Sequence, residues 1–326
     1  MTDQARVWVL VGERTGDKNQ LLRLADELGL PFRTIGLDYN ALHLVPPRFL
    51  GATLATLDEA SRARIRPPWP DLVLGIGFRS VPVALAIRKL SGGKAKLVRL
   101  GNPRLDPENF DLVITTPQYA VRDAPNVLRL PLGINTAPSL EPTREEEEWL
   151  ARLPRPHRLL LIGGDTFMWA LRPKALANAA SSLSAKGGSV IAVSSARTSK
   201  AMEEAVAQAL NGKQHGFVRG RFPRYPILLQ DADEIHVTAD SAAMTSDAVA
   251  SGKPIGLVLP DKSATGQLFY RLAETGLRVP IRDIRRFWTG VLEKGLAGSL
   301  DEPRSAELGC DPLGEAAAAV RALLER

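Results

Sequence analysis

Scarcities narrow the field before any motif is read. One cysteine, Cys310, in 326 residues leaves no disulfide framework and no thiolate set for a zinc cluster. The four histidines, His43, His157, His215 and His236, stand apart without metal-ligand spacing, so no metal is expected. Aromatic residues make up 6%, too few for a stacking platform on single strands. No long basic run, RNA-binding aromatic motif or helix-turn-helix pattern is present, and nucleic acid is not an expected partner. No apolar run approaches the ~18–20 residues that cross a bilayer. The opening MTDQARVWVLVGE holds one arginine and a short β-branched run, which reads as a buried strand and not a secretory leader. A cytoplasmic protein is expected, with peripheral contact at the inner membrane face left open.

What is present is the balance of a globular chain: 44% hydrophobic and 24% charged residues, at a length that suggests two domains. The net charge of +6 favours anionic partners, among them nucleotides, phosphorylated lipids and an acidic membrane face. Arg62, Arg64 and Arg66, close to Trp69, would suit an anionic membrane surface; a solvated face accounts for them equally well.

Short apolar runs alternate with amphipathic ones, the pattern of βα units and parallel sheets. Strands are expected at Val7–Val11, Arg33–Gly36, Leu72–Gly75, Lys96–Leu100, Leu112–Thr115 and Val127–Leu130, with helices at Lys18–Leu28 and Pro82–Lys89. The pattern restarts at Arg158–Ile162 and continues through strands at Ser189–Ser194, His215–Val218, Glu234–Thr238 and Pro254–Leu259. Helices are expected there at Lys174–Ala185, Lys200–Leu210, Ala242–Ala250 and Leu313–Leu324. Five prolines and the acidic run Glu145–Glu148 lie between Pro131 and Pro156, which suits an exposed connection. The expected fold class is α/β: two Rossmann-like domains, 1–135 and 157–326, with parallel sheets facing across a cleft and a linker at 136–156. The last helix could belong to either domain.

Ligands of open parallel sheets bind at the carboxyl ends of strands, and polar loops cluster at that edge. After the first strand come Gly12, Thr15, Gly16, Asp17, Lys18, Asn19 and Gln20, in a spacing that is neither a phosphate-binding P-loop nor a dinucleotide fingerprint. Asp17 could equally cap a helix. Gly77, Arg79 and Ser80 follow a second strand, Asn102 and Arg104 a third, and Thr116, Gln118 and Tyr119 a fourth. Arg79 could meet an anion held at a helix start. In the second half, Gly163, Gly164, Asp165 and Thr166 open the loops, and adjacent glycines allow backbone amides to approach a diphosphate; a tight turn needs the same glycines. Ser194, Ser195, Arg197 and Thr198 end the next strand, while Asp240 and Ser241 begin a helix carrying Asp247.

The segments GERTGDKNQ, PDLVLGIGFRS, VRLGNPR, FDLVITTPQY, NVLRLPLG, LLLIGGDT, VSSART and VTADSAAMTSDAVASGKPI resemble, in order, the mitochondrial-fission "elongated mitochondria" family, which also has uncharacterised bacterial members. That family is similar to the GT-B glycosyltransferases, in particular the N-acetylglucosaminyl transferase acting on a lipid-linked peptidoglycan precursor and lipid A disaccharide synthase. The resemblance implies a metal-independent transferase, with a nucleotide-sugar donor, a UDP-sugar foremost, on the C-terminal domain. The acceptor, lipid-linked or from the envelope, would lie on the N-terminal one. Gly163, Gly164, Asp165, Thr166, Ser194, Ser195, Arg197, Thr198, Asp240 and Ser241 would serve the nucleotide and its phosphates. Asp247 would replace a ribose-binding glutamate with a chain one methylene shorter. Asp17 stands where the lipid-linked transferases carry a histidine, and would be the general base. Thr15, Gly16, Lys18, Asn19, Gln20, Gly77, Arg79, Ser80, Arg104, Thr116 and Gln118 would line the acceptor. Two other readings stand beside it: a non-catalytic adaptor that kept the fold, as the fission role of the eukaryotic relatives suggests, and a sugar-nucleotide epimerase. The epimerase would need a dinucleotide fingerprint and a Tyr-x-x-x-Lys pair, yet Tyr39, Tyr119, Tyr225 and Tyr270 each lack a lysine four residues on.

Overall fold

A computed structural model describes residues 6–12, 15–134, 139–212, 214–275 and 282–325. In chain order the elements are β1 (Val7–Val11), α1 (Thr15–Leu28), β2 (Phe32–Gly36), α2 (Pro47–Leu50), α3 (Glu59–Ala63), β3 (Leu72–Ile76), α4 (Val81–Leu90), β4 (Lys96–Leu100), β5 (Leu112–Thr115) and β6 (Val127–Arg129). Then follow α5 (Arg144–Ala151), β7 (His157–Ile162), β8 (Trp169–Ala170), α6 (Pro173–Ala185), β9 (Ser189–Ser194), α7 (Lys200–Ala209), β10 (Gly216–Val218), α8 (Tyr225–Asp231) and β11 (Glu234–Thr238). The chain ends with α9 (Ala242–Ala250), β12 (Ile255–Val258), β13 (Asp261–Lys262), α10 (Ala264–Glu274), α11 (Ile284–Glu293), β14 (Gly298–Ser299) and α12 (Pro312–Leu324).

The chain divides into two compact units, Met1–Asn135 with Cys310–Arg326, and Thr136–Gly309. The N-terminal unit holds a six-stranded sheet in the order β2-β1-β3-β4-β5-β6, parallel throughout. Its central strands are covered on both faces, so all five residues of β1 are buried; this is why they read as unbroken apolar runs. Leu21, Leu24, Ala25 and Leu28 place an apolar stripe of α1 on one face, at the spacing of a helix packed on a core. The same cluster contains Ala316, Ala317 and Val320 of α12, so the last helix packs in the N-terminal unit. Its small residues let the helix backbone come close, and the Arg321 guanidinium donates to the Glu27 carbonyl.

The C-terminal unit holds a second six-stranded parallel sheet, β10-β9-β7-β11-β12-β14. Counting only its own strands, this order is 3-2-1-4-5-6, and the connectivity reverses direction between β7 and β11. Crevices at such a reversal are where doubly wound sheets take their ligands. The N-terminal sheet reverses in the same sense between β1 and β3. A two-stranded antiparallel pair, β8 with β13, stands outside the main sheets. Ahead of β7, α5 begins with a reciprocal capping box between Thr143 and Glu146. The Glu146 carboxylate, 1% exposed, also receives Arg224 Nη2 at 2.6 Å and the Arg224 N–H at 2.9 Å. The acidic connection is thereby tied to the start of α8.

Two expectations change. The first polar loop is mostly helix: α1 begins at Thr15, so Thr15 to Gln20 belong to its opening turns. Asp17 lies in the first turn, where a carboxylate complements the helix dipole, and is not the residue before the helix. Helices α8, α10 and α11 were not anticipated; their apolar residues mix with tyrosine, proline and charge, which blurs the period.

Candidate functional site

The reversal point of the C-terminal sheet is built from three strand ends. Strand β7 is followed by Gly163 and Gly164, both buried. A methyl group on Gly163 would stand 2.3 and 2.4 Å from the Asp240 carboxylate oxygens, and one on Gly164 would stand 2.0 Å from the Arg197 carbonyl oxygen. Both positions therefore need glycine for close approach of backbone and side chain. The Gly163 N–H donates to Thr238 Oγ1 at 2.8 Å and the Gly164 N–H to Asp240 Oδ2 at 3.2 Å. Arg197 reaches over from the end of β9, with Nη2 2.7 Å from Asp240 Oδ2 and Nη1 donating to the Gly164 carbonyl at 3.0 Å. The Asp240 side chain is fully buried while that of Arg197 is 42% exposed. Asp240 Oδ1 has no hydrogen-bond partner, which leaves a buried acceptor of considerable cost unless something satisfies it.

Hydroxyls complete this edge. Thr198 Oγ1 lies 2.7 Å from the Gly163 carbonyl and accepts the Ser195 N–H at 2.8 Å. Ser194 Oγ donates to the Val218 carbonyl at 3.4 Å. Ser241 is the N-cap of α9, taking the Met244 N–H on its side chain at 3.4 Å. Asp165 and Thr166 do different work. Asp165 Oδ1 accepts the Leu171 N–H at 2.8 Å and Thr166 Oγ1 the Trp169 N–H at 3.1 Å, shaping the turn into β8. Asp247, half-buried on α9, accepts the Tyr225 hydroxyl at 3.2 Å. Burial, with the charge of Asp247 behind it, pushes the Tyr225 phenol well above its usual range. Tyr225 is a site neighbour that no local pattern marks, since it meets Asp247 only through the fold.

In the N-terminal unit, Gly77 turns through a φ of 67° after β3, a conformation suited to glycine. Ser80 is the N-cap of α4, but its hydroxyl donates to the Ile76 carbonyl at 3.1 Å and does not cap the helix. Beneath this loop lies Arg99 of β4, fully buried. Its Nη2 donates to Ser80 Oγ at 2.9 Å and to the Gly77 carbonyl. Burial lowers the Arg99 guanidinium to about 10, and burial also raises the Tyr39 phenol beside it to about 12. Arg79 and Arg104 are exposed, and the Arg104 guanidinium lies 3.9 Å from the Phe78 ring centroid. Gln118 is buried with Oε1 unpartnered, as is Thr115 Oγ1, while Thr116 is half-buried. On α1, Gly16, Lys18 and Asn19 are exposed, and Asp17 and Gln20 half-buried.

Arg62, Arg64 and Arg66, the arginines near Trp69, are all exposed. Arg62 donates to the Leu57 carbonyl at 3.2 Å and Arg64 to the Gly36 carbonyl at 3.0 Å. Trp69 packs its ring 5.8 Å from that of Trp8. Among the described residues, no helix is long and apolar enough to cross a membrane, and no group of histidine, cysteine or carboxylate side chains could hold a metal ion.

A family model described as "Mitochondrial fission ELM1" matches residues 15–326. The chain is 30% identical over 118 residues to "uncharacterized protein RP120" of Rickettsia prowazekii (strain Madrid E), covering 36% of this chain and 33% of that one. It therefore spans a third of the length of the curated relative it matches. The fold is GT-B-like. The UDP-GlcNAc 2-epimerase of Neisseria meningitidis, bound to UDP-GlcNAc, superposes with a TM-score of 0.54 at 12% identity, over 98% of this chain and 100% of that one. UGT89C1 of Arabidopsis thaliana complexed with UDP gives a TM-score of 0.57 at 11% identity, over 98% and 100% of the two chains.

Proposed function

The chain belongs to the mitochondrial fission ELM1 family, and on that footing we propose that it is a glycosyltransferase using a nucleotide-sugar, with a UDP-sugar as donor. One observation carries the reading. At the reversal point of the C-terminal sheet, a glycine pair, an arginine and a capped helix start converge on a buried carboxylate with an unsatisfied oxygen. UDP and UDP-GlcNAc in the two similar structures support the choice of nucleotide.

Arg197, the cation of this edge that reaches solvent, would meet the diphosphate, with the start of α9 adding the positive end of its dipole. Asp247 would address the ribose through the hydroxyl network it shares with Tyr225. Gly163, Gly164, Ser194, Ser195, Thr198, Asp240 and Ser241 would hold this frame, with Asp165 and Thr166 shaping its turn. On the N-terminal unit, Asp17 would take the proton of the acceptor hydroxyl. Thr15, Gly16, Lys18, Asn19, Gln20, Gly77, Arg79, Ser80, Arg104, Thr116 and Gln118 would receive the acceptor, lipid-linked or from the envelope. A place at the cytoplasmic face of an anionic membrane would suit such an acceptor.

Thermal denaturation against UDP-, GDP-, dTDP- and CMP-linked compounds tests the donor half. A ligand at a hundred times its Kd stabilises by about 2.7 kcal/mol. UDP and UDP-sugars should raise the midpoint; no response to any nucleotide would leave the non-catalytic adaptor. Asp17→Ala should then abolish transfer with nucleotide affinity near normal, and unchanged turnover would remove Asp17 as base.

A second reading is favoured by the epimerase among the similar structures. Interconversion of a UDP-sugar with no acceptor present, followed by its proton NMR spectrum, would establish it in place of transfer.

A further inference from the structure

The two most exposed large apolar side chains among the described residues are Leu44 at 73% and Phe49 at 68%, five residues apart in the N-terminal unit. Leu42, at 44%, precedes them. They ride on a single 3₁₀ turn, Ala41–Leu44, and on α2. The loop is braced from below. Asn40 Nδ2 donates to the Ala55 and Leu57 carbonyls at 2.7 and 3.1 Å, and Asn40 Oδ1 accepts the Leu42 N–H at 3.0 Å. The Thr53 N–H donates to the Pro82 carbonyl of α4 at 3.1 Å, and Leu57 is anchored in the core. A built loop therefore holds these side chains in water, where apolar surface is unfavourable unless something covers it. Between Asp38 and Asp58 the sequence carries one formal charge, that of Arg48, whose guanidinium lies 4.6 Å from the Phe49 ring centroid. The flanking carboxylates are engaged: Asp38 lies 3.7 Å from Arg64, and Asp58 caps α3 by accepting the Ser61 N–H at 2.7 Å. Residues 39–105 carry eleven lysines and arginines against three carboxylates.

We infer that this loop docks the N-terminal unit on an anionic lipid bilayer, with Leu44 and Phe49 entering the headgroup boundary and Arg48 meeting the lipid phosphates. Area and charge choose the occupant. Three side chains fall well short of the ~800 Å² that each partner buries in a stable protein interface, so a second copy of this chain does not account for them. A bilayer needs no matched surface. A few apolar side chains enter its boundary, and each Lys or Arg near an anionic leaflet strengthens binding about fivefold. Arg48 can keep its guanidinium among the phosphates while its stem and Phe49 lie deeper. The surface deepens the reading above and rests on it only in supposing that the membrane supplies the acceptor.

Sedimentation with vesicles, in the absence of nucleotide, tests the surface. The full chain should pellet with phosphatidylcholine and phosphatidylglycerol in equal parts and stay largely in solution with phosphatidylcholine alone. Leu44→Ser and Phe49→Ser should each weaken binding about tenfold, and Arg48→Ala about fivefold. All three side chains are exposed, so the thermal midpoints should stay within about 2 °C of wild type. Leu90→Ser at the last residue of α4 and Leu268→Ser on α10 of the other unit remove exposed leucines elsewhere, and should bind as wild type. A wild type that ignores the mixed vesicles, equal pelleting with neutral ones, or pelleting that survives the Leu44→Ser, Phe49→Ser double variant overturns the surface. Loss of binding in Leu268→Ser does the same, by moving the contact to the second unit. So does a wild type that is a dimer in solution and is split by Phe49→Ser, since the loop would then join two copies. Arg48→Glu guards against an unstable double variant: it should weaken pelleting more than Arg48→Ala at an unchanged midpoint, and undiminished pelleting overturns the surface. UDP stabilisation is measured without lipid, so the donor reading can fail while this surface stands, and the reverse.

Discussion

Gly164→Ala is expected to cost about 3 kcal/mol of stability and to remove the response to UDP. The added methyl would stand 2.0 Å from the Arg197 carbonyl oxygen and 2.4 Å from its carbonyl carbon. Both are backbone atoms, so no side-chain rotation relieves the clash, and overpacking of a tight interior typically costs ~1–3 kcal/mol. Relief requires the β7 and β9 loops to separate, which pulls Arg197 off Asp240 and opens the reversal point. Gly163→Ala should act more mildly, since its methyl meets the Asp240 carboxylate, an end group that can swing if Arg197 follows. Gly290→Ala serves as the control. It lies inside α11 with nothing within 4 Å of the new methyl, and should stabilise by ~0.5–1 kcal/mol through helix propensity. Denaturant unfolding with and without UDP separates the outcomes. A neutral Gly164→Ala would contradict the geometry, and a destabilised variant that still binds UDP would place the nucleotide elsewhere.

Arg224→Ala is expected to be destabilising, because it removes the cation whose side chain makes two hydrogen bonds to the Glu146 carboxylate. The two halves of its pair are unequal: Glu146 is 1% exposed at the side chain and Arg224 38%. Removing the arginine leaves the carboxylate with the Thr143 and residue-224 backbone N–H groups but no countercharge, whereas Glu146→Ala leaves a cation that still reaches water and should cost less. Acid gives the sharper test. Hydrogen bonds from Arg224 hold the Glu146 carboxyl well below its ordinary 4.5. A carboxyl depressed in the folded state contributes stability that is complete above the unfolded value and lost as the pH falls below it. The wild type should therefore weaken on acidification. In Arg224→Ala the stranded carboxyl gains by taking a proton, so its deficit relative to wild type should shrink toward pH 4. A deficit that stays constant between neutral and acid pH would show that the pair contributes no charge-dependent stability.

Local pattern was enough for the strands. The runs VWVLV and EIHVT correspond residue for residue to β1 and β11, and helix α9 begins and ends where it was expected. Continuous apolar runs and a capping serine are contiguous signals, and they survive without knowledge of neighbours. The sheet orders are not contiguous information, nor are the pairings that make the sites. Arg197 and Asp240 are 43 residues apart and meet only because β9 and β11 flank β7. Arg99 was hidden for the opposite reason. In KLVRL it looked like one charged residue on a strand, whereas five residues of β4 pack so tightly that four are buried, the arginine among them. Asp17 shows the limit at element ends. A helix that starts three residues earlier turns a loop side chain into a helical one, and no residue-by-residue periodicity fixes such a boundary.

The return of α12 to the first unit has a bearing on synthesis. A ribosome delivers β1 to β6 first, and α1 can pack on β1 and β3, but the side of α1 that meets α12 waits until residues 312–324 emerge behind the whole second unit. The second unit is an uninterrupted segment and can close as soon as its last strand is free. The portion translated first is thus the one finished last, and a nascent chain stalled after β14 would leave the α12-facing side of α1 open to a chaperone that recognises bare apolar surface.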